Sequence, residues 1–75
     1  SYSLDETVDR YIKEALEEMG FPSYFLPERL KVDEKIKVVK YLQDKGTFKI
    51  KGALVFVASK LGVSEPTIYR YLKKD

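Results

Sequence analysis

The sequence predicts an all-α fold, a small bundle of three to four helices that ends in two helices joined by a tight corner. Apolar residues recur at the three- and four-residue spacing of amphipathic helices along most of the chain. A glycine follows each of the first three such stretches, at Gly20, Gly46 and Gly62, where helices commonly end. With 75 residues and 44% apolar content, the chain can form one core, and we predict a single domain over residues 1–75.

The first helix is predicted over Ser3–Met19. Ser3 and Glu6 fit a capping box, in which each side chain accepts a hydrogen bond from the backbone N–H of the other residue. Gly20 and then Pro22 end the helix. A single apolar stripe runs along it, formed by Leu4, Val8, Tyr11, Ile12, Ala15, Leu16 and Met19.

Residues 21–30 are predicted to be a connection, because they contain two prolines, with one short helical turn near residues 28–30. We expect the aromatic side chains of Phe21, Tyr24 and Phe25 to fold back over the core and close one end of the bundle. A ligand-binding patch is the alternative interpretation.

The second long helix is predicted over Asp33–Lys45, with Asp33 as its N-cap and Gly46 just past its end. Its buried side is expected to comprise Ile36, Val39 and Leu42 or Gln43, widened by Val38 and Tyr41. The following residues 47–50 are either an extended link or the first turn of the next helix, with Phe48 and Ile50 directed inward.

The C-terminal corner is the most informative stretch. The helix before it has apolar residues at Leu54, Val57, Ala58 and Leu61, and Ala58 is small enough for a close helix crossing. Gly62 tolerates the positive φ of a tight turn, and Val63 supplies an apolar plug for the core. In the helix after it, Ser64 is a good N-cap, Pro66 suits the first turn, and Ile68, Tyr71 and Leu72 are expected to be buried.

This arrangement predicts a helix-turn-helix over residues 52–73, because the outer face of its second helix is polar and basic. In that motif the second helix, here residues 65–73, recognises DNA in the major groove. An ordinary helical hairpin is the alternative.

Charge is divided unequally between the two halves of the chain. Residues 1–34 contain four Lys/Arg and nine Asp/Glu, whereas residues 35–75 contain ten Lys/Arg and three Asp/Glu. A basic half joined to an acidic half indicates one face turned towards a polyanion. Ordinary solvated surface is the alternative.

The absence of Cys and His excludes disulfides and thiolate metal sites, and it removes the usual nucleophiles and general bases. We therefore predict that the chain is not an enzyme and uses no cofactor. No stretch reaches the roughly 20 apolar residues of a membrane span, so no membrane association is expected.

A family resemblance is carried by residues 48–72, F-K-I-K-G-A-L-V-F-V-A-S-K-L-G-V-S-E-P-T-I-Y-R-Y-L. This stretch resembles the C-terminal DNA-binding domain of YheO-like transcriptional regulators, in which G-x-F-x-x-K-G-A…V-A…L-G-V-S-x-x-T-V-Y-x-Y-L recurs. The matching positions are Gly46, Phe48, Lys51, Gly52, Ala53, Val57, Ala58, Leu61, Gly62, Val63, Ser64, Thr67, Tyr69, Tyr71 and Leu72. The similarity extends back through the second long helix and more loosely to the first.

The resemblance implies a bacterial-type, cytoplasmic transcriptional regulator with a PAS-like sensor domain N-terminal to these residues. A chain that begins at Ser1 without Met is then expected to be a fragment of a longer regulator. Glu65 departs from the family pattern, in which this position is often Arg.

Four side chains at the start of the second helix are predicted to contact bases: Glu65, Pro66, Thr67 and Arg70. Arg70 is the candidate for a bidentate contact to guanine, and Glu65 could accept a hydrogen bond from a cytosine amino group. The predicted contacts to the DNA backbone are Lys49, Lys51, Gly52, Lys60, Ser64, Tyr69 and Lys73, with Gly52 acting through the N–H groups at the helix start.

A homodimer is expected in the full-length protein, because such regulators usually read two half-sites. Val55 and Phe56 either pack under the first helix, which we favour, or form part of an interface. Two other functions stay open. One is the DNA-targeting domain of a recombinase or transposase, and the other is a helical protein-interaction module that does not bind DNA.

Overall fold

A computed structural model describes residues 3–75, which form four α-helices and two 3₁₀ turns with no strand among them. The helices are α1 (Leu4–Glu18), α2 (Val32–Asp44), α3 (Ala53–Leu61) and α4 (Glu65–Leu72), and the 3₁₀ turns span Pro27–Arg29 and Thr47–Lys49. The prediction of a small all-α bundle is confirmed. Helices α1 and α2 both contact the C-terminal pair, α1 mainly through α3 and α2 mainly through α4.

Helix α1 begins with the predicted capping box. The Ser3 hydroxyl oxygen accepts from the Glu6 N–H at 3.2 Å, and Glu6 Oε1 accepts from the Ser3 N–H at 3.0 Å. The hydrogen bond from the Ser3 N–H, helped by the one from the Ser3 hydroxyl, holds the pKa of the Glu6 carboxyl below its ordinary value, because both stabilise the charged form.

Helix α2 begins earlier than predicted, and the prediction of Asp33 as its N-cap is wrong. The N-cap is Lys31, and Asp33 lies in the first turn. Glu34 Oε1 accepts from the Lys31 N–H at 2.8 Å. Only this half of a capping box forms, because a lysine side chain has no acceptor atom. The two carboxylates of Asp33 and Glu34 suit the positive end of the helix dipole, which explains a start without a Ser, Thr, Asp or Asn cap.

All four helices contribute to one apolar core. Its buried members are Val8, Ile12, Ala15, Leu16, Leu30, Val38, Val39, Leu42, Ala53, Val57, Ala58, Leu61, Ile68 and Tyr71. Ile36 and Leu72 are half-buried, Gln43 is exposed, and Val55 is 52% exposed. The favoured prediction that Val55 packs under the first helix is therefore wrong. Phe56 does pack against the core.

The proline-containing connection closes one end of the core, as predicted for two of its three aromatic residues. The rings of Phe21 and Phe25 are 4.8 Å apart between centroids and pack against the core. Tyr24 is instead 85% exposed. The short helical turn lies at Pro27–Arg29, one residue earlier than predicted.

Residues 47–50 adopt neither of the two conformations considered from the sequence. Thr47–Lys49 is a separate 3₁₀ turn that is preceded by Gly46 at φ 80°. Phe48 is half-buried, but Ile50 is 42% exposed, so the inward orientation predicted for Ile50 is wrong. Thr47 is fully buried, and its hydroxyl oxygen has no hydrogen-bond partner among residues 3–75.

The corner between α3 and α4 is a Schellman motif. The Val63 N–H donates to the Ala58 carbonyl at 3.0 Å, and the Gly62 N–H donates to the Ser59 carbonyl at 3.2 Å. Gly62 has φ 68°, which confirms the predicted positive φ, and Val63 packs against the core. The positive φ favours glycine, and a Cβ at Gly62 would lie 3.1 Å from Glu28 Cβ, a tight contact that only a shift of Glu28 would relieve.

Replacing Gly62 by Ala should destabilise the domain more than replacing Gly20 by Ala. Gly20 ends α1 in an equivalent motif at φ 85°, where an added Cβ meets no atom within 4 Å. Both substitutions should lower the free energy of unfolding by about 1–2 kcal/mol, because alanine is strained in the left-handed conformation. Only Gly62→Ala adds the collision with Glu28. Urea denaturation measures both losses, and equal losses would show that the Glu28 contact yields without cost.

Replacing Thr47 by Val should raise the free energy of unfolding by about 1 kcal/mol, because it removes a buried hydroxyl that lacks a partner. Thr47→Ser is the matched control, since it keeps the hydroxyl and loses a buried methyl group, and it should destabilise the domain. Urea denaturation of the three proteins checks this. A less stable Thr47→Val protein would contradict the prediction and reveal a partner for the hydroxyl.

Candidate nucleic-acid interface

Helix α4 has a buried side and an exposed side, as predicted. Ile68 is fully buried and Tyr71 is 8% exposed, so these two side chains attach the helix to the core. The opposite side presents five exposed residues to solvent, namely Glu65, Pro66, Tyr69, Arg70 and Lys73. The domain therefore displays a short helix whose outer surface is polar except for Pro66 and the ring of Tyr69.

The N-terminal end of α4 is closed by Ser64. Its hydroxyl oxygen accepts from the Thr67 N–H at 3.3 Å, which confirms the predicted N-cap. Pro66 lies in the first turn, where a missing N–H leaves no intrahelical bond unmade. The exposed carboxylate of Glu65 also lies in this turn, where a negative charge interacts favourably with the positive end of the helix dipole.

Three of the predicted contact residues form a hydrogen-bonded chain along α4. The hydroxyl oxygens of Ser64 and Thr67 are 3.0 Å apart, and Arg70 Nη2 donates to Thr67 Oγ1 at 2.7 Å. The three residues recur at a spacing of three, which places neighbours on one helix face. The structure thus brings Thr67 and Arg70, both predicted to contact bases, into direct contact.

The C-terminal end of α4 is held by a residue that sequence reasoning did not assign to the site. Lys40 of α2 donates from Nζ to the Leu72 carbonyl at 2.9 Å in a partly buried contact. A cation at this position bonds to a carbonyl that has no partner within the helix, and it interacts favourably with the negative end of the helix dipole. The two residues are 32 positions apart, and the sequence contains no local signal that pairs them.

The basic residues that precede α3 are exposed to solvent. Lys49 ends the second 3₁₀ turn, and Lys51 and Gly52 immediately precede α3. Gly52 has φ 85°, and no side chain caps the helix that follows it. The Ala53 N–H is bonded to the Ile50 carbonyl at 3.1 Å. The residues Lys49, Lys51 and Gly52, which are predicted to contact the DNA backbone, therefore lie close together in the chain and are accessible at one helix end.

Lys60 occupies a different environment from the other predicted contacts. Its Nζ lies 3.3 Å from Asp5 Oδ1 and 3.8 Å from Asp9 Oδ1, both on the acidic helix α1. Asp9 also pairs with Lys13 at 3.1 Å. The positive charge of Lys60 is thus balanced within the domain, whereas Lys49, Lys51 and Lys73 form no ion pair among residues 3–75.

The part of the chain that the structure describes contains no cluster of three or more Asp or Glu side chains placed to hold a metal ion. Within the same residues, no helix has the length and apolar character needed to cross a membrane.

Most of the chain matches a known protein family. The family described as the HTH domain matches residues 7–73, from the first turn of α1 to the residue after α4. No curated protein and no solved structure matches the chain. The match covers both helices of the corner and the two helices that support them, and the helix-turn-helix is a DNA-binding motif. The chain therefore belongs to the HTH domain family, and this membership indicates DNA binding.

Proposed function

We propose that the domain binds double-stranded DNA sequence-specifically, with α4 lying in the major groove. The observation that carries the proposal is the exposed polar side of α4, attached to the core by Ile68 and Tyr71. A helix of eight residues is about 12 Å long. The diameter of an α-helix with its side chains, about 10–12 Å, fits the major groove, which is about 12 Å wide.

Base recognition is assigned to the first two turns of α4. Arg70 has the planar fork that guanine O6 and N7 accept, and it is exposed. Glu65 would accept from a cytosine amino group, while Pro66 and the Thr67 methyl group would meet thymine methyls. Glu65 weakens general attraction to phosphate at this end of the helix, so its presence favours a role in selecting bases.

Contacts to the DNA backbone are assigned to the accessible residues around the helix. Lys49, Lys51 and Lys73 would neutralise phosphates, and Ser64 and Tyr69 would donate hydrogen bonds through their hydroxyl groups. The N–H groups that follow Ala53 in the first turn of α3 would add a helix N-terminus that attracts anions, whereas the Ala53 N–H is already bonded to Ile50. We assign Lys60 a smaller contribution, because it must leave Asp5 and Asp9 to reach a phosphate.

We further propose that the domain is part of a transcriptional regulator of the YheO-like type. The support is the resemblance of residues 48–72 together with the match to the HTH domain family. Such a regulator would carry a PAS-like sensor domain, act in the cytoplasm and bind two half-sites as a homodimer. Neither enzymatic activity nor a cofactor is part of the proposal.

Binding to mixed-sequence duplex DNA should fall steeply with salt. Three phosphates neutralised by Lys49, Lys51 and Lys73 predict a slope of log K against log salt of about −3, since each contributes about −0.9. Fluorescence anisotropy across a salt series measures this slope. A domain that binds no duplex at about 50 mM salt would contradict DNA binding and favour a protein-interaction module.

Arg70→Ala and Lys73→Ala should weaken binding in different ways. Arg70→Ala should cost about 1–3 kcal/mol on the preferred site and relax the preference at one base pair. Lys73→Ala should weaken binding to all sequences alike and reduce the salt slope by about 1.

Lys13→Ala is the matched control, because Lys13 is an exposed lysine paired with Asp9 on α1. It should leave affinity and slope unchanged. Uniform losses for Arg70→Ala across all sequences would contradict base recognition by Arg70 while leaving DNA binding intact.

A further inference from the structure

The side chain of Arg70 is hydrogen-bonded within the protein in the absence of DNA. Its Nη2 donates to Thr67 Oγ1 at 2.7 Å, and Thr67 Oγ1 lies 3.0 Å from Ser64 Oγ. Among residues 3–75 the Arg70 guanidinium makes no ion pair, and its hydrogen bond is the one to Thr67. The bond runs from Arg70 back towards the N-terminal end of α4, the end assigned to the bases.

We infer that Thr67 is a positioning residue that orients Arg70 for guanine, and this inference rests on the proposed function. Thr67 is half-buried, whereas Arg70 is exposed. A short, anchored hydroxyl therefore holds a long and otherwise mobile side chain. Ordering that side chain in the free protein reduces the entropy lost on binding, which strengthens a contact that depends on geometry.

The hydrogen bond to Thr67 leaves Arg70 able to read guanine. A guanidinium has five N–H donors, and two of its edges present a parallel pair of donors that share Nη2. Thr67 Oγ1 occupies one hydrogen of Nη2. Whichever of the two hydrogens this is, the edge that uses the other one stays complete. A bidentate contact to guanine O6 and N7 is thus compatible with the bond to Thr67.

The hydroxyl groups of Ser64 and Thr67 both form hydrogen bonds within the protein. Ser64 Oγ accepts from the Thr67 N–H at 3.3 Å, and one hydroxyl hydrogen lies between Ser64 and Thr67. Thr67 Oγ1 accepts from Arg70, so the Thr67 hydroxyl acts mainly within the protein. Its methyl group is then the part of Thr67 available to a thymine methyl.

The experiment compares Thr67→Val, which removes the hydroxyl at nearly constant shape, with Thr67→Ser, which keeps it. Selection from a random duplex library with the wild-type domain defines the preferred site, and Arg70→Ala identifies the guanine that Arg70 reads. Affinities are then measured by fluorescence anisotropy on the preferred site and on the site with that guanine replaced.

Thr67→Val should reduce the preference for this guanine by about threefold to tenfold, a part of what a bidentate contact supplies. Thr67→Ser should retain the preference. In the Arg70→Ala background, Thr67→Val should not change discrimination at this position. An unchanged preference in Thr67→Val, or an equal loss with and without Arg70, would overturn the inference.

A second measurement tests the contact without DNA. NMR relaxation of the Arg70 Nε–H group should show a more mobile side chain in Thr67→Val than in the wild type and in Thr67→Ser. Equal mobility in all three would overturn the inference. If the wild-type domain binds no duplex at low salt, the proposed function itself fails. If it binds with a guanine preference that Thr67→Val leaves intact, only the positioning role of Thr67 fails.

Discussion

The arrangement of the whole domain depends on the chain reversal at Gly62. Its left-handed conformation lets the Val63 N–H reach back to the Ala58 carbonyl, so α3 ends at Leu61 and α4 starts at Glu65, after three intervening residues. Glu28 lies so close to Gly62 that a Cβ would meet it at 3.1 Å. Hydrogen bonds within the turn thus hold its conformation, and Glu28 of the connection before α2 packs close against it.

Helix α4 is short, and its two ends are tied by different means. Isolated helices of eight residues are unstable in water, so α4 depends on its surroundings. Ser64 closes the N-terminal end, Lys40 of α2 bonds to the last carbonyl, and Ile68 anchors the middle. All three anchors act from the inner side or the ends. The exposed outer side, with Tyr69 and Arg70, takes no part in these anchors and is accessible to a partner.

The packing of the helices determines which charged side chains are paired within the domain. Helix α1 carries acidic residues that pair with basic ones from other helices, such as Asp5 with Lys60 of α3 and Glu14 with Lys45 after α2. These surface pairs contribute little to stability, about 0–1 kcal/mol each. Their larger effect is to balance some lysines within the domain. The charge of Lys49, Lys51 and Lys73 then remains available to an anion.

Local features of the sequence determined the helices, the glycine ends and the caps at Ser3 and Ser64, because each depends on residues within about one turn. They also indicated the buried side of α4. Contacts between distant segments were decided only by the tertiary structure, since no local pattern encodes them. Lys40 reaches Leu72 across 32 positions, and Lys60 turns to α1 instead of outward. The pairing of Thr67 with Arg70 is local, but it depends on side-chain direction, which spacing alone does not determine.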